Sequence, residues 1–159
     1  MEGCRKAMQD ANLPICAEDM NHGDSHIESV YRNGLALLHS SEPPNAIFSL
    51  DNRMTLGIVQ ALRELKIPCL GFVSLLGSDD CDWAAVFNPA LTTIAQPTDE
   101  TGKRAAELVL QCIRAGEEGV EIEACQILLK SSLRIRGSTE PPPNLIRARN
   151  GSLVGSQRY

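Results

Sequence analysis

Short apolar runs alternate with amphipathic segments along most of this chain. Mostly apolar runs, too short to favour a helix, occur at 46–50, 70–76 and 91–95. Segments with apolar residues at the three- and four-residue spacing of one helix face lie at 24–38, 51–66 and 98–115. Buried strands alternating with amphipathic helices are typical of a parallel sheet covered by helices. The sequence therefore predicts an α/β architecture.

The chain outside this central pattern is less regular. A further helix is predicted over 2–12, because apolar residues share one face until Leu13-Pro14 ends it. Additional strand candidates are 15–17, 122–129 and 133–135. Proline, glycine and serine become frequent after 137, and we expect a flexible tail over 140–159.

The composition is that of a globular domain with a net negative charge. The 159 residues include 15 Lys and Arg against 20 Asp and Glu, a formal charge of −5. This length accommodates one compact domain, and the lack of excess basic residues disfavours nucleic-acid binding by these residues. No apolar run approaches the ~20 residues that cross a bilayer. The six scattered cysteines are typical of a reducing compartment, so we expect a cytoplasmic protein without membrane contact.

Acidic residues follow two of the predicted strands. Asp51 comes after the run 46–50, and Asp79 follows the strand that ends near Gly77. Small molecules bind beyond the carboxyl ends of open parallel sheets, and carboxylates accept hydrogen bonds from hydroxyl or amine donors. The alternatives, which the sequence leaves open, are that Asp51 and Asn52 cap the following helix and that Asp80 and Asp82 are solvated loop acids.

Other site chemistries have less support. His22 and His26 are four residues apart with Glu28 nearby, but Gly23 weakens a helix there and no third ligand is evident. No phosphate-binding loop or nucleophile motif is present. We therefore expect neither a metal site nor a cofactor.

The acidic segment after the second strand allows two further interpretations. Cys81 lies between carboxylates, which suppress the thiolate that a nucleophile needs. Asp79, Asp80 and Asp82 could hold Mg²⁺ in a phosphoryl-transfer enzyme. Because no phosphate-binding loop accompanies them, the magnesium enzyme is a minor alternative.

Apolar side chains also cluster in the loop predicted over 78–89. Trp83, Val86 and Phe87 lie there among polar residues, and Leu56 falls off the inward face of its helix. Such a cluster is either an exposed partner surface or a set of side chains folded onto the sheet edge.

Several segments resemble LacI/GalR-type transcriptional regulators. Residues 44–57 (PNAIFSLDNRMTLG) resemble the family pattern P-t-A-i-f-a-N-D-x-m-A-l-G. Residues 73–80 resemble i-S-v-v-G-f-D-D, and 89–97 match P-p-L-T-T-i-x-Q-P. Further motifs match at 3–14, 102–108 and 136–139, so the resemblance covers 3–139 in order.

The resemblance implies a type I periplasmic-binding-protein-like fold of two α/β lobes. This chain would supply mainly the C-terminal lobe and part of the N-terminal lobe, with 1–139 as a partial effector-binding and dimerisation domain. The implied protein is a homodimeric regulator, not an enzyme. It binds a sugar or nucleobase-class metabolite and reads DNA through an N-terminal helix-turn-helix that lies outside this sequence. A sugar-transport binding component shares the fold and is the alternative.

The resemblance also implies roles for single residues. Asp79 matches the family's effector-binding acid, and Asp51 stands where an effector-contacting Asn is usual. Ser25 falls where many members place an aromatic ring, although serine cannot stack on a sugar.

A dimer interface is implied at the apolar cluster. Leu56 and Phe87 match interface positions of the family, and we group Trp83 with them because it lies in the same cluster.

Overall fold

The computed structural model describes residues 2–13, 15, 20, 24, 26–69 and 72–140. Its helices are α1 (Glu2–Asp10), α2 (Ile27–Leu38), α3 (Asn52–Glu64), α4 (Asp82–Val86) and α5 (Thr98–Glu118). Its strands are β1 (Ala46–Ser49), β2 (Ser74–Ser78), β3 (Thr92–Ala95) and β4 (Ser132–Arg134). Of the helices in this described part of the chain, none is both long and apolar enough to cross a membrane.

The strands form one mixed sheet in the order β1-β2-β3-β4, which confirms the α/β prediction. β1, β2 and β3 are parallel, with Phe48 paired to Leu76 and Gly77 to Thr93. β4 is antiparallel to β3, because the chain leaves the carboxyl end of β3 through α5 and returns beside the same end, where Ala95 pairs with Ser132.

The core lies where α2 packs against α3, and where α3 packs against β1 and β2. Leu75 in β2 and Ala61 in α3 are fully buried. The two helices approach closely at Gly57, where an added Cβ would lie 2.9 Å from the carbonyl oxygen of Ile27 and from Cβ of Val30. Gly57 is therefore required by the close approach of the two helices.

A buried serine joins β2 and β3 near their amino ends. Ser138 Oγ donates to the carbonyl oxygen of Leu75 (2.6 Å) and accepts from the backbone N–H of Thr92 (2.8 Å). The N–H of Leu75 donates in turn to the carbonyl oxygen of Ser138 (2.8 Å). The segment after β4 therefore takes part in the sheet.

Several predicted boundaries were wrong. The strand predicted over 122–129 is absent, since that segment is largely exposed without regular secondary structure and β4 occupies the free edge of β3. The loop predicted over 78–89 contains α4. Helix α5 continues past Gly116 and ends at Gly119, whose φ of +68° suits glycine.

Other predicted boundaries differ or cannot be followed. β2 begins at Ser74 instead of at 70. Residues 16 and 17 of the strand candidate at 15–17, and residues 141–159 of the tail, lie outside the described residues.

Helix α5 exposes the apolar stripe that the sequence placed on one face. No residue of α5 is buried, and Val109 and Ile113 are 57% and 53% exposed. Within the described residues, α5 is thus amphipathic but leaves its apolar face to solvent.

We expect Gly57→Ala to destabilise the fold by about 1–3 kcal/mol, because the new methyl group collides with the backbone of α2. Gly102→Ala in α5 is the matched control, since nothing lies within 4 Å of its added Cβ. It should be neutral or stabilise by about 0.5–1 kcal/mol through helix propensity. Urea unfolding followed by circular dichroism measures both, and equal effects would contradict the packing of α2 on α3.

Candidate functional site

The parallel strands bring their carboxyl ends, and the residues that follow them, to one edge of the sheet. Asn52, just after β1, donates from Nδ2 to Cys81 Sγ (3.4 Å), beyond the end of β2. Asp79 follows β2 directly, and Gln96 follows β3. This carboxyl edge is where small molecules bind in open α/β sheets.

Asp79 forms two hydrogen bonds, one with β3 and one with the residue that follows β3. Its backbone N–H donates to the carbonyl oxygen of Ile94 (3.0 Å), and its Oδ1 accepts from Gln96 Nε2 (2.5 Å). Asp79 has a φ of +69°, in the left-handed region that costs a residue with a side chain about 1 kcal/mol. Such strain is concentrated at functional sites.

Asp51 caps helix α3. Its Oδ1 accepts from the backbone N–H of Met54 (2.7 Å), and its carbonyl oxygen accepts from the N–H of Thr55 (3.0 Å). The helix-cap alternative is therefore confirmed, and part of the Asp51 carboxylate is committed to the helix. Ser25, the third proposed effector contact, lies outside the described residues.

Asp80 is not a free loop acid but forms a bidentate ion pair with Arg136. Arg136 Nη1 donates to Asp80 Oδ1 (2.7 Å) and Nη2 to Oδ2 (3.0 Å), and the two side chains are each 22% exposed. Thr93 Oγ1 also donates to Asp80 Oδ1 (2.7 Å). The hydrogen bonds from Arg136 and then Thr93 lower the pKa of the Asp80 carboxyl below its ordinary value.

This ion pair does not favour the magnesium alternative. Both carboxylate oxygens of Asp80 accept from Arg136, so neither is left as a simple metal ligand. Asp82 lies in the first turn of α4 and is exposed. In the part of the chain that the structure describes, no three His, Cys, Asp or Glu side chains are grouped as a metal would require.

The apolar cluster after β2 is partly folded onto the core and partly exposed, so each of its two interpretations holds for some of its side chains. Trp83 and Phe87 are half-buried and pack against the core, whereas Val86 is 82% exposed. Leu56 is half-buried on α3. Phe87 also lines an open, mostly apolar groove beside Cys69, and burial raises the pKa of the Cys69 thiol.

The sequence analysis did not identify the side chains that bind Asp79 and Asp80. Gln96 and Arg136 both lie in segments that carry the family resemblance, but neither was given a role. Arg136 is 56 residues from Asp80, so no local pattern links them.

Comparison with known proteins identifies relatives for nearly the whole described region. Residues 1–139 match the family model of the periplasmic binding protein-like domain. The chain is 34% identical over 113 residues to the HTH-type transcriptional repressor PurR of Actinobacillus pleuropneumoniae, covering 71% of the chain and 34% of the relative. It is 38% identical over 105 residues to the HTH-type transcriptional regulator PtxS of Pseudomonas putida, covering 66% and 30%.

Solved structures show the same likeness. A regulatory protein of the LacI family from Chloroflexus aggregans is 34% identical with a TM-score of 0.73, covering 87% of this chain and 48% of that one. A transcriptional regulator CelR–cellobiose complex is 27% identical with a TM-score of 0.75, covering 86% and 41%. The chain spans about a third of the length of its curated relatives and less than half of these solved chains.

We expect Asp80→Asn to lower the free energy of unfolding by about 1–2 kcal/mol at pH 7, because it weakens a charged bidentate pair. The folded pKa of Asp80 is lowered, so the stabilisation is full above the ordinary value of 3.8 and is lost as pH falls through the lowered pKa. Urea unfolding between pH 7 and pH 2 measures the difference.

The control is Glu28→Gln, which removes an ion pair with Arg32 whose side chains are 70% and 74% exposed. Its effect should be about 0.5 kcal/mol or less. An Asp80→Asn effect that is equally small, or that persists unchanged in acid, would contradict the structural role of the pair.

Proposed function

This chain belongs to the periplasmic binding protein-like domain family of LacI-type transcriptional regulators, and we propose that it is the effector-sensing and dimerisation region of such a regulator. The effector is a sugar, a nucleobase or a similar small metabolite. The region is not an enzyme and uses no cofactor. DNA is read by a helix-turn-helix outside this sequence, in a cytoplasmic protein.

The position of Asp79 carries the proposal. A half-buried carboxylate in a strained backbone conformation stands at the carboxyl edge of a parallel sheet, where a ligand of this fold is held. Carboxylates recognise hydroxyl and amine donors. Asp51 contributes less than Asp79, because its Oδ1 already caps α3, and Ser25 completes the proposed contacts.

The regulatory step is a population shift. A ligand held between two lobes favours their closed arrangement, and the closed arrangement changes the spacing of the DNA-reading heads. Residues 1–139 supply mainly one lobe of the effector-binding domain, and 140–159 are proposed as a flexible tail. The named relatives are transcriptional regulators, which favours this function over a transport component.

The dimer is proposed to form through the apolar cluster. Leu56, Trp83 and Phe87 are each half-buried, so part of each side chain stays accessible to a second copy. The neighbouring groove, lined by Val59 and Pro68 among others, extends this apolar surface.

We expect this chain to bind effectors weakly or not at all, because a ligand gains contacts from mainly one lobe. Titration calorimetry with D-ribose, cellobiose and guanine should show no tight binding. In saturation-transfer NMR at millimolar probe, Asp79→Asn should weaken binding by about tenfold through the lost charged acceptor. Asp99→Asn, an exposed control on α5, should bind normally. Tight binding by this chain, or normal binding by Asp79→Asn, would contradict the proposal.

We expect Leu56→Arg to shift the chain from dimer to monomer, because a charge placed in an apolar interface is left without a partner. Sedimentation velocity over a concentration series measures the association. Leu110→Arg is the control, since Leu110 is 53% exposed on α5 and outside the cluster. A monomeric parent chain would contradict the proposed dimer, and a Leu56→Arg variant that still dimerises would place the interface elsewhere.

A further inference from the structure

The open apolar groove beside Cys69 lies on the side of the sheet where β2 and β3 begin, away from the candidate effector site. Its lining includes Val59 and Leu62 of α3, Cys69 before β2, and Phe87 and Pro89 between α4 and β3. Its volume is about 540 Å³, which is within the ~300–1,000 Å³ of clefts that bind ligands. The groove is therefore large enough to hold a few apolar side chains.

We propose that this groove binds residues 141–146 of the same chain (PPPNLI), which leaves 147–159 as the flexible part of the tail. The inference goes beyond the proposed function and does not depend on it, because neither the effector nor the dimer is needed for the contact.

The described part of the chain ends close to the groove. Gly137 approaches the groove residue Pro89 so closely that an added Cβ would lie 3.2 Å from Pro89 Cβ. Glu140 N–H donates to Ser74 Oγ (3.2 Å) at the start of β2. The chain from 137 to 140 spans at most about 11 Å, and residues 141–146 span about 20 Å when extended. These six residues can therefore reach the groove.

The composition of the segment matches the groove. Five of its six residues are prolines or aliphatic residues, and Asn144 is the exception. Consecutive prolines favour the polyproline II conformation, and such segments dock in grooves lined by aromatic side chains. Phe87 supplies an aromatic ring here, and Leu145 and Ile146 follow the prolines as aliphatic side chains that can enter the cavity.

The polar side chains of the groove match a proline-rich backbone. Prolines have no N–H group, so three of them in a row offer only carbonyl acceptors. The groove includes Arg63 and Asn88, both exposed, and neither side chain forms a hydrogen bond with any residue that the structure describes. Both side chains carry N–H donors. The groove therefore presents the donors that this backbone lacks.

Charge and tethering favour the tail as the occupant over a second copy of the chain. All 20 acidic residues precede residue 141, whereas 141–159 contain three arginines and no acidic residue. The tail is therefore attracted to the rest of the chain. A tethered segment also has an effective concentration in the millimolar range. Leu56 and Trp83 do not line the groove, so they stay available for the proposed dimer.

Docking is tested by NMR on the whole chain. Nuclear Overhauser effects should connect the Phe87 ring to the methyl groups of Leu145 and Ile146, and they should persist on dilution because the contact lies within one chain. None should connect Phe87 to Leu153 or Val154, the matched apolar pair further along the tail.

The double variant Leu145→Asp/Ile146→Asp should move the methyl resonances of Val59, because the groove loses its apolar occupant. Leu153→Asp/Val154→Asp is the matched control and should leave these resonances unchanged. Circular dichroism should show the parent secondary structure for both variants, since the substituted residues follow the last segment that takes part in the sheet.

Arg63→Ala should lower the ratio of docked to free tail by about threefold to tenfold, because a charged donor is lost. The position of the Val59 methyl resonances, between their values in the parent chain and in the double variant, measures this ratio. Arg53→Ala is the control, since Arg53 is exposed on the first turn of α3 and does not line the groove.

Each outcome bears on one part of the proposal. Missing effects between Phe87 and 145–146 in the parent chain, or unchanged Val59 resonances in the double variant, overturn the docking. Effects that disappear on dilution identify a second copy as the occupant and also overturn docking of the tail. An unchanged ratio in Arg63→Ala overturns the match of donors to the proline backbone, whereas the expected decrease supports it.

Discussion

The parallel pairing of β1, β2 and β3 is the constraint on which the rest of the structure depends. Parallel strands end on the same side of a sheet, so Asp51, Asp79 and Gln96 follow strands that end at one edge, and Asp79 and Gln96 are joined there by a hydrogen bond. The same pairing requires a helix between successive strands, and α3 provides both that connection and the apolar face that buries Leu75. Core packing and the candidate site are thus two results of one strand arrangement.

Much of this arrangement could be predicted, because its determinants are local. Apolar runs and helical spacing indicate β1, α3, β3 and α5, and the helix cap at Asp51 is encoded by a residue type suited to that position. The segment 122–129 was misjudged for a non-local reason. Its apolar residues resemble a strand, but a strand also needs a partner, and β4 is the segment that pairs with β3.

The partners of Asp79 and Asp80 could not be predicted either, because these contacts are also non-local. Whether Asp80 faces solvent or Arg136 depends on β4 returning beside β3, and nothing near either residue in the sequence encodes that return. Gln96 is closer to Asp79 along the chain, 17 residues away, yet their contact requires the register between β2 and β3. Residue types at a site are therefore easier to infer than the pairs they form.

Ser138 has a consequence for how the molecule is made. Its hydroxyl and carbonyl groups complete hydrogen bonds of Leu75 and Thr92, residues that leave the ribosome 63 and 46 positions earlier. Because the chain is synthesised from its N-terminus, β2 and β3 are made before this segment. Until Ser138 emerges, the backbone groups of Leu75 and Thr92 lack the hydrogen-bond partner that they have in the folded sheet. The nascent sheet is therefore most exposed to wrong pairing just before translation of the matched region ends.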